Sequence, residues 1–325
     1  MRAKPIPAVL FPLLFIAVTL INIPQSFAHY GELPATISCP GGGSYTIDIN
    51  GVADNGVSCS GNLVLDERVK SVADGAFNDA GITSLRLDRN LTQIGALSFN
   101  GANISSLELD DALTTISPGA FLNVQLTSLK LDNALTYIGS QAFYNSLLTS
   151  LFLDRSLTYI GLGAFSTSPL TSLHLDDALV TIEKSAFSNA LLTSLTLDRS
   201  LQSVTRSSFY DSPLTSLQLD DALTSVDADA FHFANLTALK LDRALTSIGA
   251  RAFNRSPLTK LITDRNLTSI GITAFASSQL TCFTNASNLN GTQLTGTGLD
   301  SDLTLLSCPD HGGDHGGEHD GDGDD

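Results

Sequence analysis

Between Gly61 and Leu280 the chain has no cysteine and not one inserted or deleted residue relative to its own period. A disulfide framework therefore does not order this stretch. Basic residues are scarce throughout, with 17 Lys and Arg against 33 Asp and Glu and a net charge of −16. That balance excludes the cationic footprint that nucleic acids require. It also excludes adsorption to anionic membranes. Beyond the first 28 residues there is no second long apolar run, so no membrane insertion is expected after that segment is removed. Catalytic signatures are missing too: there is no His-Glu-x-x-His, no Gly-x-Ser-x-Gly, no phosphate loop and no dinucleotide fingerprint. Outside the C-terminal tail only His29, His174 and His232 occur, each apart from any obvious nucleophile. The reading is of a protein that is not an enzyme and needs no cofactor.

What is present is a period. Phenylalanine recurs every 22 residues at Phe77, Phe99, Phe121, Phe143, Phe165, Phe187, Phe209, Phe231, Phe253 and Phe275. Aspartate keeps the same step from Asp66 through Asp88, Asp110, Asp132, Asp154, Asp176, Asp198, Asp220 and Asp242 to Asp264. A fixed period of this length marks a solenoid, because one coil cannot bury its own apolar face and must stack on the next. In the unit Thr171–Leu192, Leu173 and Leu175 alternate with Ser172 and His174, a short strand with one face inward. Asp176-Asp177-Ala178 reads as a turn, Leu179 and Ile182 as the next inward pair, and Ala186-Phe187 as a small residue beside a large one. Stacked, these positions make columns of Leu, Ile and Phe.

The ends differ from the middle. Residues 1–28 carry Arg2 and Lys4, an apolar run from Pro7 to Ile23, and small residues around Ser26-Phe27-Ala28. This is the pattern of a secretory signal cut before His29, with a retained anchor as the alternative. Residues 29–60 and 281–308 flank the repeats of 61–280 as an N-terminal and a C-terminal cap, covering strand edges that would otherwise lie open. Cys39 and Cys59 lie in the first cap, Cys282 and Cys308 in the second. At about 4.8 Å per coil the two ends stand roughly 50 Å apart, so only the local pairings Cys39–Cys59 and Cys282–Cys308 are within disulfide reach. A metal site is the rival reading, and no Cys-x-x-Cys supports it. Residues 309–325 form a His/Asp/Gly tail without apolar side chains, expected to be disordered. In it His311, His315 and His319 recur every four residues, a pattern open to weak Zn²⁺ or Ni²⁺ binding or to simple solubilisation.

The pattern L-T-S-L-x-L-D-x-x-L-T-x-I-G-x-x-A-F, nearly whole at Leu126–Phe143 and Leu236–Phe253, resembles the BspA-like (treponemal-type) leucine-rich repeats. The likeness spans about 220 of the 325 residues. It implies a mainly β, right-handed solenoid with a parallel sheet on one face and capped ends. It also implies a secreted or surface protein that binds proteins or host surfaces. The chain departs from the family where the Asp column replaces an expected proline, where Leu replaces Ile or Val on the strand, and where a late cysteine is missing.

Two features are candidates for binding. The Asp column, with paired carboxylates at Asp110-Asp111, Asp176-Asp177 and Asp220-Asp221, reads either as a repeated Asx turn or as a row of Ca²⁺ sites. The second is the strand column facing away from the core: Arg86, Glu108, Lys130, Phe152, His174, Thr196, Gln218 and Lys240. It varies inside an otherwise uniform unit, as a recognition surface or an unconstrained solvent face does. Phe152 beside His174 is its sharpest point, an aromatic on a face expected to be polar. The functional expectation is a secreted, extracellular or cell-surface protein, periplasmic in a host with an outer membrane. It would bind a protein or glycan on an extracellular surface through this column. A Ca²⁺- or transition-metal-dependent module and a passive structural solenoid are the alternatives.

Overall fold

The Leu-x-Leu and x-Ile pairs of each coil dock onto their equivalents 22 residues on, and this repetition builds the whole molecule. A computed structural model describes residues 33–299, except 88, 110, 131–133, 154, 176–177, 198–199, 220–221, 242–243 and 286–288. The signal reading of 1–28, the tail with His311, His315 and His319, Cys308 and eight members of the Asp column lie outside the described residues. Residues from Leu33 onward form one unit. Among the described residues no helix is long and apolar enough to cross a membrane.

The expected strand is there in each coil, as at Ser172–His174, which pairs in parallel with Ser150–Phe152 of the preceding coil. Its ladder is divided into four hydrogen-bonded groups, which begin at Ser60–Val64, Leu129–Lys130, Ser194–Thr196 and Ala238–Lys240. A second parallel ladder runs through two-residue strands such as Tyr137–Ile138, Tyr159–Ile160 and Thr181–Ile182, which the sequence showed only as an inward pair. A third set of inter-coil bonds sits at the phenylalanine: the Phe99, Phe121 and Phe143 amides donate to Ala120, Ala142 and Ala164 carbonyls at 2.8 Å. Within a hydrogen-bonded group a coil is thus tied to the next at three places around its circuit, and between groups the phenylalanine amides carry the link, which satisfies backbone groups that would otherwise be buried unpaired.

The ten phenylalanines are fully buried and stack face to face, with centroids 5.0–5.5 Å apart and planes within 13°. Around each ring the chain turns sharply. The residues two before and two after every Phe all have φ between 54° and 71°. Small or Asx residues suit that left-handed region, and most coils supply Gly, Ser, Asn, Asp or Thr there. Gly249 and Gly271 have another role: a Cβ on either would stand 2.3 Å from a backbone nitrogen of the preceding coil. The Ile-Gly pair of the repeat therefore marks the closest approach of coil to coil.

Both caps extend this scheme. At the start, Ala35–Ser38 and Ser44–Ile47 form an antiparallel hairpin whose second strand pairs with Val52–Asp54, and that strand opens the second ladder. Tyr45 lies over the first ring of the stack, 5.5 Å from Phe77. Its hydroxyl accepts the Asp66 amide at 2.9 Å, and burial pushes its pKa up to about 12. Gly56 is required beneath the Phe77 ring, where a Cβ would overlap the ring carbons. Cys39 and Cys59 are joined, as their spacing led one to expect. At the far end, Cys282–Asn285 adds the last strand of the first ladder. Gly296 and Thr297 accept the amides of Thr273 and Phe275, replacing the coil that would come next. Cys282 is also disulfide-bonded, and no described cysteine is free.

The exception in the inner Leu column fits the same logic. Thr263 is buried, and its hydroxyl donates to the Thr284 carbonyl at 3.1 Å. In the neighbouring inner column Leu173 and Leu217 are only half-buried, so that column is less complete than the sequence suggested.

Two outcomes follow. Phe143→Ala removes a ring from the middle of the stack and is expected to cost about 3–5 kcal/mol, read by denaturant unfolding, whereas Phe152→Ala, on the surface, is expected to stay within about 0.5 kcal/mol. Replacing both Cys39 and Cys59 by Ala is expected to cost on the order of 3 kcal/mol for a loop of this length, read as a loss of thermal stability.

Candidate functional site

The outward column of the first ladder is placed by strand alternation. In each strand the Leu before it points to the core, so its neighbour points to solvent. Arg86, Glu108, Lys130, Phe152, His174, Thr196, Gln218 and Lys240 are all exposed. Parallel register sets them side by side: Arg86 opposite Glu108, Lys130 opposite Phe152, Phe152 opposite His174, Thr196 opposite Gln218. The structure thus brings the eight residues into one row, and it adds Val64 at the start, 56% exposed and opposite Arg86.

Two stretches of the row have local structure. Phe152 is 61% exposed, and its ring lies 6.4 Å from the His174 ring at a 43° tilt. Lys130 flanks it on the other side, so the aromatic edge is framed by a cation and an imidazole. At the other stretch, Arg86 Nε and Glu108 Oε2 are 3.6 Å apart with both side chains about two-thirds exposed. Such a pair adds little stability and stays open to a ligand. Beside it is a shallow depression of about 200 Å³ lined by Leu63, Val64, Ser84, Leu85, Arg86, Ser106 and Glu108. That volume lies below the range that encloses a small molecule, so this surface suits contact with another surface.

The Asp column is visible at its two ends. Asp66 accepts the Arg68 amide at 3.0 Å and the Arg68 guanidinium at 2.7 and 2.9 Å. That guanidinium holds the Asp66 carboxyl below its usual range. Asp264 accepts the Arg265 amide at 2.6 Å. The Asp66 bond to the amide two residues on is the Asx arrangement; that of Asp264 reaches only the next residue. Among the described residues no three His, Cys, Asp or Glu side chains come together as a metal site would need.

A second cluster escaped the sequence reading. It lies on the sharp turns around Phe209, Phe231 and Phe253, away from the strand column. Asp229 is buried and takes Arg251 as a two-point partner, Nε at 2.6 Å and Nη2 at 2.9 Å. Arg206 approaches the same carboxylate at 3.7 Å and His232 at 3.4 Å. The His232 contact lacks hydrogen-bond geometry, and both ring nitrogens are buried without a partner. Burial lowers the His232 pKa, and the Arg251 hydrogen bonds lower that of Asp229. The His232 ring stacks on Phe233 at 4.2 Å, Tyr210 meets both rings edge-on, and the Arg255 guanidinium lies 5.0 Å over the Phe233 face. The available signal was the break in pattern: Phe233 and Arg255 stand where other coils carry Asp, Asn, Gly, Thr or Ser.

Comparison with known proteins agrees with this geometry. The model of the BspA type leucine rich repeat region matches residues 58–171 and 158–282, in six copies. No curated protein matches the chain. Among solved structures, a leucine-rich repeat protein from Bacteroides ovatus ATCC 8483 has a TM-score of 0.61 at 17% identity, over 78% of this chain and 70% of that one. The T. pallidum leucine rich repeat protein has a TM-score of 0.41 at 19% identity, over 69% and 88%. The pneumococcal vaccine antigen PcpA has a TM-score of 0.39 at 17% identity, over 79% and 87%. The first of these supports the fold, and the family match spans more than half of the sequence. A 22-residue coil closed by I-G-x-x-A-F, stacked on its buried phenylalanine and matched over most of its length, places this chain in the BspA-type leucine-rich-repeat family.

Proposed function

We propose that this chain is a secreted or cell-surface recognition protein that binds a protein or glycan through the outward column from Arg86 to Lys240. The observation that carries the reading is Phe152. It is a large aromatic, 61% exposed, set between Lys130 and His174, and apart from Val64 at the start the row is otherwise polar or charged. Packing gives it no role, because the core is closed by the Leu beside it. An exposed aromatic framed by polar groups is the composition of an interface hot spot.

Other features support the same class. The repeat family consists of binding solenoids rather than scaffolds with a catalytic cleft, and the depression near Arg86 is too shallow to enclose a substrate. Export rests on the N-terminal pattern of residues 1–28, with the Cys39–Cys59 disulfide in keeping with an oxidising compartment.

The test is binding of the purified protein to an array of extracellular-matrix proteins and glycans, with wild type beside Phe152→Ala/His174→Ala. Both side chains are exposed, so the variant is expected to melt with the wild type. The expected result is a loss of about thirtyfold or more in affinity for the probe bound. Equal binding by the two proteins contradicts the proposed surface, and absence of binding across the array favours a passive solenoid.

A further inference from the structure

The cluster around Asp229 costs the fold something and returns nothing to it. Phe233 holds φ at 69°, a conformation that a bulky residue adopts with strain on the order of 1–3 kcal/mol. The equivalent residues Asn123, Asn145 and Asn189 make the same turn with side chains suited to it. His232 brings two buried ring nitrogens that find no hydrogen-bond partner. A structural need for pairing Asp229 is met by Arg251 alone. Arg206 and Arg255 are therefore surplus to the coil.

Charge tells the same story. Two guanidinium groups, Arg206 and Arg251, gather about the Asp229 carboxylate, and a third, Arg255, lies over the neighbouring Phe233 ring, on a chain whose net charge is −16. The Arg206 side chain is 56% exposed and that of Arg251 is 43% exposed. Arg255 is exposed and has no carboxylate partner among the described residues; its guanidinium lies 5.0 Å over the Phe233 face. The stack of His232 beneath Phe233 in turn braces that platform. Guanidinium forks held in place in this way match the oxygens of a tetrahedral oxyanion, several donors to several acceptors. A carboxylate, with two oxygens, would leave part of this donor set unused.

We infer that Arg206, Arg251 and Arg255, set by Asp229 and the His232–Phe233 stack, form a second binding site, distinct from the strand column, for a sulfate or phosphate ester carried on a larger ligand. The net charge of −16 opposes a polyanion at long range, so attraction needs a local concentration of cations such as this turn face. Sulfate and phosphate esters share the recognition chemistry, and the carrier is separated from the charge by experiment.

Dextran sulfate, dextran phosphate and unmodified dextran are titrated into the full protein at one ionic strength by calorimetry. The expected result is binding of one or both charged polymers and none of the neutral one, with the tighter polymer identifying the ester. Arg206→Gln/Arg255→Gln is expected to weaken that binding about tenfold or more. Lys70→Gln, an exposed cation near the N-terminal cap, is expected to leave it unchanged. Phe233→Asn separates binding from folding, since relief of the turn is expected to raise the melting temperature by a few degrees while affinity falls. Failure of both charged polymers to bind overturns the inference. So does equal affinity in the double arginine variant, an equal loss in Lys70→Gln, or a Phe233→Asn variant that gains stability and keeps full affinity. None of these outcomes bears on Phe152 and the strand column, which Phe152→Ala/His174→Ala tests separately.

Discussion

The contact on which the rest depends is the stack of buried phenylalanine rings, held in register by backbone bonds from each coil to the next. A ring buried at 5.0–5.5 Å from its neighbours has full value only if the coils rise by a constant step. A constant step in turn needs coils of equal length. This explains why no residue is inserted or deleted across ten repeats. An insertion would not be absorbed in one coil, because the two ladders and the Phe amide bonds would fall out of phase together. It also explains the caps. Tyr45 closes one end of the stack and residues 296–297 close the other, so neither end exposes a ring.

A scaffold so regular frees the residues that it does not use. The strand column from Arg86 to Lys240 and the turn face around Asp229 draw on different positions of the same coil, and each can vary without disturbing the Leu, Ile and Phe columns. The two surfaces differ in character. The strand column mixes charges with one exposed aromatic and has little depth. The turn face concentrates cations on an aromatic support. Physically, the first is suited to broad contact and the second to a localised anionic group.

Much of the fold was legible from the sequence because the core residues repeat. Leu173, Ile182 and Phe187 announce their inward direction by spacing alone, and Cys39 with Cys59 marks a cap by lying outside the repeats. The second ladder was not legible, since a two-residue strand such as Thr181–Ile182 has no room to show alternation. The strand column of the site was legible for the same reason as the core, because alternation fixes both faces at once. Its edge at Val64 was missed, as that residue precedes the regular part of the pattern. The Asp229 cluster was hidden by distance along the chain. Its members come from three coils, about 22 residues apart, and Arg206, Asp229 and Arg251 look like surface substitutions until stacking brings them together. What betrays the cluster is where Phe233, Arg251 and Arg255 stand, at turn positions with φ between 56° and 69° that the other coils give mainly to small or Asx residues.

The central claim is that neighbouring coils are locked together at each phenylalanine. Residue-resolved amide hydrogen exchange on the native protein tests it most directly. The account predicts that the amides of Phe99, Phe121, Phe143, Phe165, Phe187, Phe209, Phe231 and Phe253, each donating to the following coil, exchange among the slowest in the molecule. Fast exchange at these amides, at rates like those of the exposed turns, would contradict it.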